Sequence, residues 1–241
     1  MPPTLRIMVT AVIVAAGRST RMGGQDKQFF PLRGHPLIAY TLAKFQNCDA
    51  VNEIVVVIRP ERRGEFDELI KRYGITKAKR FADGGVERQD SVWNGILAAA
   101  PQTEIVLIHD GARPCIASEA ITHAAEAARQ FGAAVVATKV TDTIKEANGD
   151  MTVVRTVDRS RLWAVQTPQA FRISWITEGY SAVRKAGKIV TDDTAAVEFI
   201  GKPVHLVENT SPNLKVTSPA DVPLAEWLLR DCELGEKCRS I

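Results

Sequence analysis

Apolar positions along the chain follow two alternating rhythms. Residues 9–16 form one continuous apolar, β-branched run, the pattern of a strand covered on both faces. Leu37, Ile38, Leu42 and Phe45 then fall on one helical face. Residues 54–58 read as a second buried strand, closed by Pro60. Phe66, Leu69, Ile70 and Tyr73 return to helical spacing. Phe81 lies in a short strand before the Gly84-Gly85 turn, and Val92, Ile96 and Leu97 mark the next helix. A strand over 105–108, a helix carrying Ile121, Ala124, Ala125 and Ala128 with Ser118 as its N-cap, and a strand over 133–137 follow. Strand and helix in alternation predict parallel βαβ units in a doubly wound α/β sheet.

The rhythm breaks between residues 140 and 157. Polar and β-branched residues alternate there around Asn148-Gly149-Asp150, which predicts an extended hairpin, an arm leaving the main body. Regular structure resumes after Trp163. The last helix starts at Ser218, with Pro219 at its first position and Asp221 three after the cap. No repeat or linker divides the chain, so residues 1–241 are expected to form one domain.

Composition narrows the classes. Net charge is +3, with 45 % hydrophobic and 24 % charged residues, and no block of like charge. That balance argues against nucleic acid or a membrane surface as partner. No apolar run approaches the roughly 18 residues of a membrane span. The apolar stretch 7–16 behind Arg6 has some look of a signal peptide. It runs straight into a glycine turn with Arg18 and Arg21, and is read instead as a first strand ending in a functional loop. The four cysteines form no C-x-x-C pair, and reduced thiols in a cytoplasmic protein are expected.

The loop after the first strand carries the most chemistry. Open α/β sheets bind ligands at such a strand end. Ala15, Ala16 and Gly17 are small enough to let backbone N–H groups approach a ligand, and Arg21 and Lys27 follow as two cations. A triphosphate needs many donors, little bulk and point charges. Neither the P-loop string G-x-x-x-x-G-K-[ST] nor the dinucleotide string G-x-G-x-x-G is present. The bland alternative is a glycine loop with two solvated cations.

Other segments read less sharply alone. Asp83, Gly84 and Gly85 make a tight turn, or, with Ser91, a surface that reads the edge of a base. His109 is read as structural. Asp110, at a strand end facing the crevice, suits Mg²⁺ or a polyol hydroxyl. Arg113 pairs with an acid or serves the site. Lys215 is flanked by Leu214 and Val216 in an expected strand, on the face opposite to both. Trp163 is read as packing, Asp192-Asp193 as a helix N-terminal acid pair, and Thr191 as a site residue.

Together, and in order, these strings resemble the 2-C-methyl-D-erythritol 4-phosphate cytidylyltransferases of the non-mevalonate isoprenoid pathway. The resemblance rests on Ala15-Ala16-Gly17, Asp83-Gly84-Gly85 through Ser91, and His109-Asp110-Gly111-Ala112-Arg113-Pro114. It continues through Asp142-Thr143-Ile144-Lys145, Thr156-Val157-Asp158-Arg159, Gln166-Thr167-Pro168-Gln169, Thr191-Asp192-Asp193 and Asn213-Leu214-Lys215. It implies a three-layer α/β/α Rossmann-like nucleotidyltransferase fold, mostly parallel, with a protruding β-arm exchanged in a homodimer. It implies CTP as substrate, Mg²⁺, and release of pyrophosphate.

By the same resemblance, Ala15, Ala16, Gly17, Asp83, Gly84 and Ser91 hold cytosine and ribose. Arg21, Lys27 and Lys215 bind the phosphates. Asp110, Gly111 and Arg113 line the junction between the substrates. Thr143, Arg159, Thr167 and Thr191 hold the methylerythritol phosphate, with Thr143 and Arg159 given by the partner subunit. The chain departs from the pattern at Ser19, where a second glycine is usual, and at Asp26, where Pro or Asn often precedes the lysine. The Arg21 to Lys27 interval is also one residue short.

The acceptor's phosphate is largely dianionic at neutral pH, so it attacks the α-phosphorus without a general base. Cations then position two anions and stabilise the added charge. Three alternatives stand beside this reading: a cytidylyltransferase for ribitol 5-phosphate, a catalytically silent nucleotide-binding regulator, and a nicotinamide oxidoreductase. The 156–159 string with Trp163, together with Thr191, favours methylerythritol over ribitol. The phosphate cations argue against the regulator, and the missing fingerprint against the oxidoreductase.

Overall fold

A computed structural model of the chain describes residues 7–17 and 26–234. Arg21 and Ser19 lie outside these described residues, so the interval before Lys27 stays an expectation.

The first strand, β1 (Val9–Val14), ends two residues earlier than its apolar run, and Ala15 turns away with its N–H on Val57 O at 2.8 Å. A two-residue ladder, β2 (Pro31–Leu32) with β3 (His35–Pro36), leads into α1 (Leu37–Gln46). Then come β4 (Glu53–Ile58), α2 (Arg63–Arg72), β5 (Ala78–Asp83), α3 (Arg88–Leu97) and β6 (Ile105–Asp110). The next pair is α4 (Ser118–Phe131) and β7 (Ala133–Lys139). Ser118 is the first helical residue, and Ala117 occupies the cap with no side-chain bond, which corrects the expected cap.

The expected arm is present as β8 (Ile144–Ala147) paired antiparallel with β9 (Val153–Val157). Beyond it the structure adds elements that periodicity did not define: β10 (Trp163–Arg172), α5 (Ile173–Lys185), α6 (Thr194–Phe199) and β11 (His205–Glu208). The chain closes on a 3₁₀ turn, Pro219–Asp221, with a Ser218–Asp221 capping box, and α7 (Val222–Leu228).

Seven strands form the main sheet in the order β11-β7-β10-β6-β1-β4-β5. Strands β1, β4, β5 and β6 pair in parallel, as does β11 with β7, while β10 runs antiparallel to both β6 and β7. Alternation along the strands separates two cores. Ala11, Ile13, Ile54, Val56 and Leu107 pack under α1, α2 and α4 through Leu42, Phe45, Phe66 and Ile121. Val12, Val55, Val57, Val106 and Ile108 face α3, α5 and α6 through Val92, Ile176, Tyr180 and Val197. Residues buried on both faces account for the continuous apolar strands.

Two further expectations need correction. Lys215 is not in a strand: residues 210–217 form no ladder, and Val216 N–H makes one bond, to Ala112 O at 2.9 Å. Nor are all four thiols free. Cys48 and Cys115 are, whereas Cys232 is disulfide-bonded.

Candidate functional site

The C-terminal ends of β1, β4, β5 and β6 meet on one edge of the sheet. There a cleft of about 750 Å³ opens, lined by Ala16, Gly17, Arg59, Gly84, Arg88 and Ser91 among others. That volume suits a nucleotide-sized ligand. Its walls approach so closely because Gly84 has no side chain. A Cβ there would lie 2.3 Å from Ala16 Cβ, and Gly84 N–H is bound to Ile58 O at 2.8 Å. The next residue is equally constrained, since a Cβ on Gly85 would meet Asp90 Cβ at 2.2 Å. Ser91 Oγ accepts Gly85 N–H at 2.9 Å and so holds the turn. Asp83 is exposed, and its carbonyl accepts from Asn94 Nδ2 at 2.8 Å, so its part in the cleft is to set the backbone.

Asp26 gains a role from the structure. It caps the 3₁₀ turn Lys27–Phe29 by accepting Gln28 N–H at 3.0 Å. Its carboxylate also meets Arg59 directly and Arg62 at 3.6 Å. The residue that departs from the family's pattern thereby ties the base of the Lys27 segment to the loop after β4.

Beside the cleft lies a charge cluster. Asp110, the last residue of β6, is 8 % exposed. Its carboxylate contacts Lys215 Nζ at 2.7 Å, Arg88 Nε at 3.5 Å and Arg113 Nε at 3.7 Å. Burial works to raise its pKa, but the charges of Arg88, Lys215 and Arg113 outweigh it and hold the carboxyl well below its ordinary value. Arg88 also forms a bidentate pair with the fully buried Asp193, at 2.9 and 2.8 Å. Tyr180 O–H donates to the same carboxylate at 2.6 Å. Burial works against the charge of Arg88, but Asp193 overcomes it and keeps the guanidinium protonated. Three cations therefore face two carboxylates, leaving one positive charge in excess.

Gly111 follows Asp110 and is also a contact glycine. Its N–H reaches Val14 O at 2.9 Å, and a Cβ would meet Gln28 Oε1 and Ile38 Cδ1 at 2.9 Å each. Thr167, on β10, is 4 % exposed and turns inward: its hydroxyl accepts Asp110 N–H at 3.2 Å and meets His109 Nδ1 at 3.0 Å. Asn213 donates to Thr167 O at 2.8 Å and to Gln166 Oε1 at 3.0 Å, while its backbone oxygen accepts Arg113 Nη1 at 2.7 Å. Asn213 thus secures the irregular segment on which Lys215 reaches Asp110. Gln28 Oε1, Arg113 Nε and Asn213 Oδ1 are buried with no hydrogen-bond partner among the described residues. Such atoms cost about 1–3 kcal/mol unless something meets them.

The structure therefore gathers Ala15, Ala16, Gly17, Gly84, Ser91, Asp110, Gly111, Arg113, Thr167 and Lys215 at one sheet edge. It leaves others outside. Thr143 and Arg159 belong to the exposed arm, where Arg159 Nη1 donates to Thr141 O; among the described residues neither bonds to a cleft residue. Thr191 is exposed, next to the Asp192-Asp193 pair that starts α6. The sequence reading missed Arg88 and Asp193 as a pair. Their signal was present, since an arginine at a helix start and an acid before α6 both lie within quoted motifs, but 105 residues separate them.

Among the described residues no group of three metal-ligating side chains exists. Asp110 is already neutralised by three cations, so the donor set does not fit a divalent ion held by the protein. No helix among the described residues is long and apolar enough to cross a membrane.

Comparison with known proteins places this geometry in context. The family model described as 2-C-methyl-D-erythritol 4-phosphate cytidylyltransferase matches residues 9–231. The chain is 50 % identical over 220 residues to the protein of that name from Geobacillus thermodenitrificans, covering 91 % of this chain and 96 % of the relative. Identity to the Pelotomaculum thermopropionicum protein of the same name is 42 % over 224 residues, covering 92 % and 94 %. Among solved structures, 4-diphosphocytidyl-2C-methyl-D-erythritol synthase from Anaerococcus prevotii superimposes with a TM-score of 0.84 at 30 % identity, covering 93 % of this chain and 97 % of that one. The 2-C-methyl-D-erythritol 4-phosphate cytidylyltransferase of Thermus thermophilus gives 0.73 at 33 %, covering 91 % and 98 %.

Proposed function

The chain belongs to the 2-C-methyl-D-erythritol 4-phosphate cytidylyltransferase family, and we propose that the cluster around Asp110 is where it performs that family's reaction. The enzyme transfers CMP from CTP to 2-C-methyl-D-erythritol 4-phosphate. A phosphate oxygen of the acceptor bonds to the α-phosphorus, the α–β phosphoanhydride bond breaks, and pyrophosphate leaves. One observation carries the siting: a charge cluster with one positive charge in excess adjoins a nucleotide-sized cleft through Arg88, which belongs to both.

The division of labour follows from that geometry. Ala15, Ala16, Gly17, Gly84 and Ser91 shape the nucleoside pocket, with Asp83 fixing its backbone. Lys27, Lys215 and, outside the described residues, Arg21 meet the phosphates. Lys215 is held in place by Asp110, so its ammonium is oriented before substrate arrives, and preorganised charge is what lowers a phosphoryl-transfer barrier. Arg113 and Gly111 line the junction. No general base is required, because the acceptor's phosphate brings its own negative charge.

Mg²⁺ enters this reading as part of the substrate, carried by the triphosphate, and no step is assigned to a protein-held ion. Thr143 and Arg159 of a partner's arm, with Thr191, complete the acceptor side in a homodimer; the exposure of Thr143 and Arg159 on the arm within one chain, where Arg159 Nη1 donates to Thr141 O, supports the exchange. The reaction is assigned to the cytoplasm, where CTP is made. Pyrophosphate release measured with each of four nucleoside triphosphates, and with methylerythritol phosphate and ribitol 5-phosphate as acceptors, tests the reading. Turnover confined to CTP and methylerythritol phosphate is expected. Equal turnover with a purine triphosphate, or with ribitol 5-phosphate, overturns it.

A further inference from the structure

His109 sits at the end of β6, wholly buried, with its ring 4.8 Å from that of Phe45. Two polar contacts use its two nitrogens: Nε2 lies 3.3 Å from Arg113 O and Nδ1 lies 3.0 Å from Thr167 Oγ1. A carbonyl oxygen only accepts, so Nε2 carries the proton and Nδ1 is left as an acceptor. Thr167 must then spend its only hydroxyl proton on Nδ1. The same oxygen already accepts Asp110 N–H at 3.2 Å. The chain of bonds therefore has one direction, from Asp110 N–H to the Thr167 hydroxyl to His109, and separately from His109 Nε2–H to Arg113 O. Burial pushes the imidazole pKa down to about 3, consistent with the neutral ring this direction requires.

We propose that His109 is a positioning residue for the acceptor side of the site, one that fixes Thr167 as a hydrogen-bond acceptor and anchors the turn carrying Arg113. The inference rests on the siting of the reaction given above. Its consequence is specific. With its proton committed, the Thr167 hydroxyl offers a substrate one lone pair and no donor. It can receive an O–H of the polyol, but it cannot hold a phosphate oxygen. Phosphate recognition then falls to the cations, and Thr167 contributes to choosing an acceptor by its hydroxyls.

Turnover by the wild-type enzyme with CTP and methylerythritol phosphate is measured first; its absence sinks the family reaction rather than this inference. His109→Phe keeps an aromatic ring against Phe45 and removes both nitrogens. It is expected to lower kcat/KM for the acceptor about 10- to 100-fold, the effect of leaving a buried partner unmet, while CTP affinity moves by no more than about twofold. In His109→Asn, Oδ1 falls near the place of Nδ1 and can accept from Thr167 again. In His109→Gln, the amide falls near Nε2 and restores only the Arg113 bond. Asn should recover most of the loss and Gln should not.

Unchanged acceptor kinetics in His109→Phe, an equal loss of CTP affinity, or rescue by Gln instead of Asn overturns the proposal. Nitrogen NMR of the wild-type imidazoles gives a measurement independent of whether the variants fold. One of the four histidines should show Nε2 protonated and Nδ1 bare at neutral pH. A protonated Nδ1 at His109 removes the basis of the inference.

Discussion

The cleft side, where we propose the nucleotide binds, and the arm of this enzyme are built on opposite principles. The cleft side is closed by backbone contact, with Gly84 against Ala16 and Gly111 against Val14, and by charges paired inside the chain. The arm, β8 and β9, is almost entirely exposed: Met151 is 86 % and Val153 60 % accessible, and Arg159 turns its guanidinium back to its own base at Thr141 O. A site whose charges already pair with one another is preorganised within one chain. The arm instead presents apolar side chains to solvent within one chain, the kind of surface that marks an interaction site. The difference teaches where to expect each kind of mutational effect, on the transition state in the first case and on assembly in the second.

The hardest test of that contrast combines both sides. Lys27→Met should lower kcat by about two to three orders of magnitude, with far less effect on CTP binding, because charge builds at the α-phosphorus only during attack. Arg159→Ala should also be inactive. Mixing Lys27→Ala with Arg159→Ala chains should recover about a quarter of wild-type activity, since half the dimers are hybrid and one of their two sites is intact. Recovery of nothing, with subunit exchange verified, means the arm serves its own chain.

A smaller effect is expected where backbone closeness alone is at stake. Gly84→Ala places a Cβ 2.3 Å from Ala16 Cβ, so one wall of the cleft must shift. Loss of about 1–3 kcal/mol in stability and about tenfold or more in CTP affinity is expected by denaturant unfolding and calorimetric titration. Wild-type CTP affinity would show that the cleft is not the nucleoside pocket.

Next in size is a pH effect. His109 is held neutral in the native state, with its pKa pushed down to about 3 by burial from an ordinary 6.5. The unfolded chain therefore binds a proton that the native state refuses. This group's contribution is complete above pH 6.5 and is lost progressively as pH falls from 6.5 toward 3, by at most about 1.4 kcal/mol per unit. Denaturant unfolding at pH 7, 6 and 5 should show that decline in the wild type, and a shallower one in His109→Asn. Equal slopes would mean that His109 is protonated in the native state.

The smallest change belongs to the arm. Val153→Thr should alter unfolding stability by less than about 0.5 kcal/mol, as expected for an exposed position, yet raise the dimer dissociation constant measured by sedimentation. An unaltered dimer would place the interface elsewhere.

The sequence alone determined the strands β1, β4, β6 and β7, the helices between them and the hairpin, because each element carries its own periodicity or turn chemistry within a few residues. It also picked out the small residues at 15–17 and Asp110 by their place at strand ends, while the Gly84 turn and Lys215 were singled out through the resemblance to a known family. It did not define β10, whose apolar run is interrupted by Gln166, Thr167, Pro168 and Gln169 and by a register shift, and it placed Lys215 in a strand that does not exist. Only the tertiary structure decided that Thr167 spends its hydroxyl on His109, that Asp26 ties the Lys27 segment to Arg59, and that Arg88 joins Asp110 to Asp193. Each of these is a pairing between side chains far apart in the chain. A local pattern records which face a residue occupies, but not which distant group will meet it once burial in a low-dielectric interior makes an unpaired charge or donor too costly to leave alone.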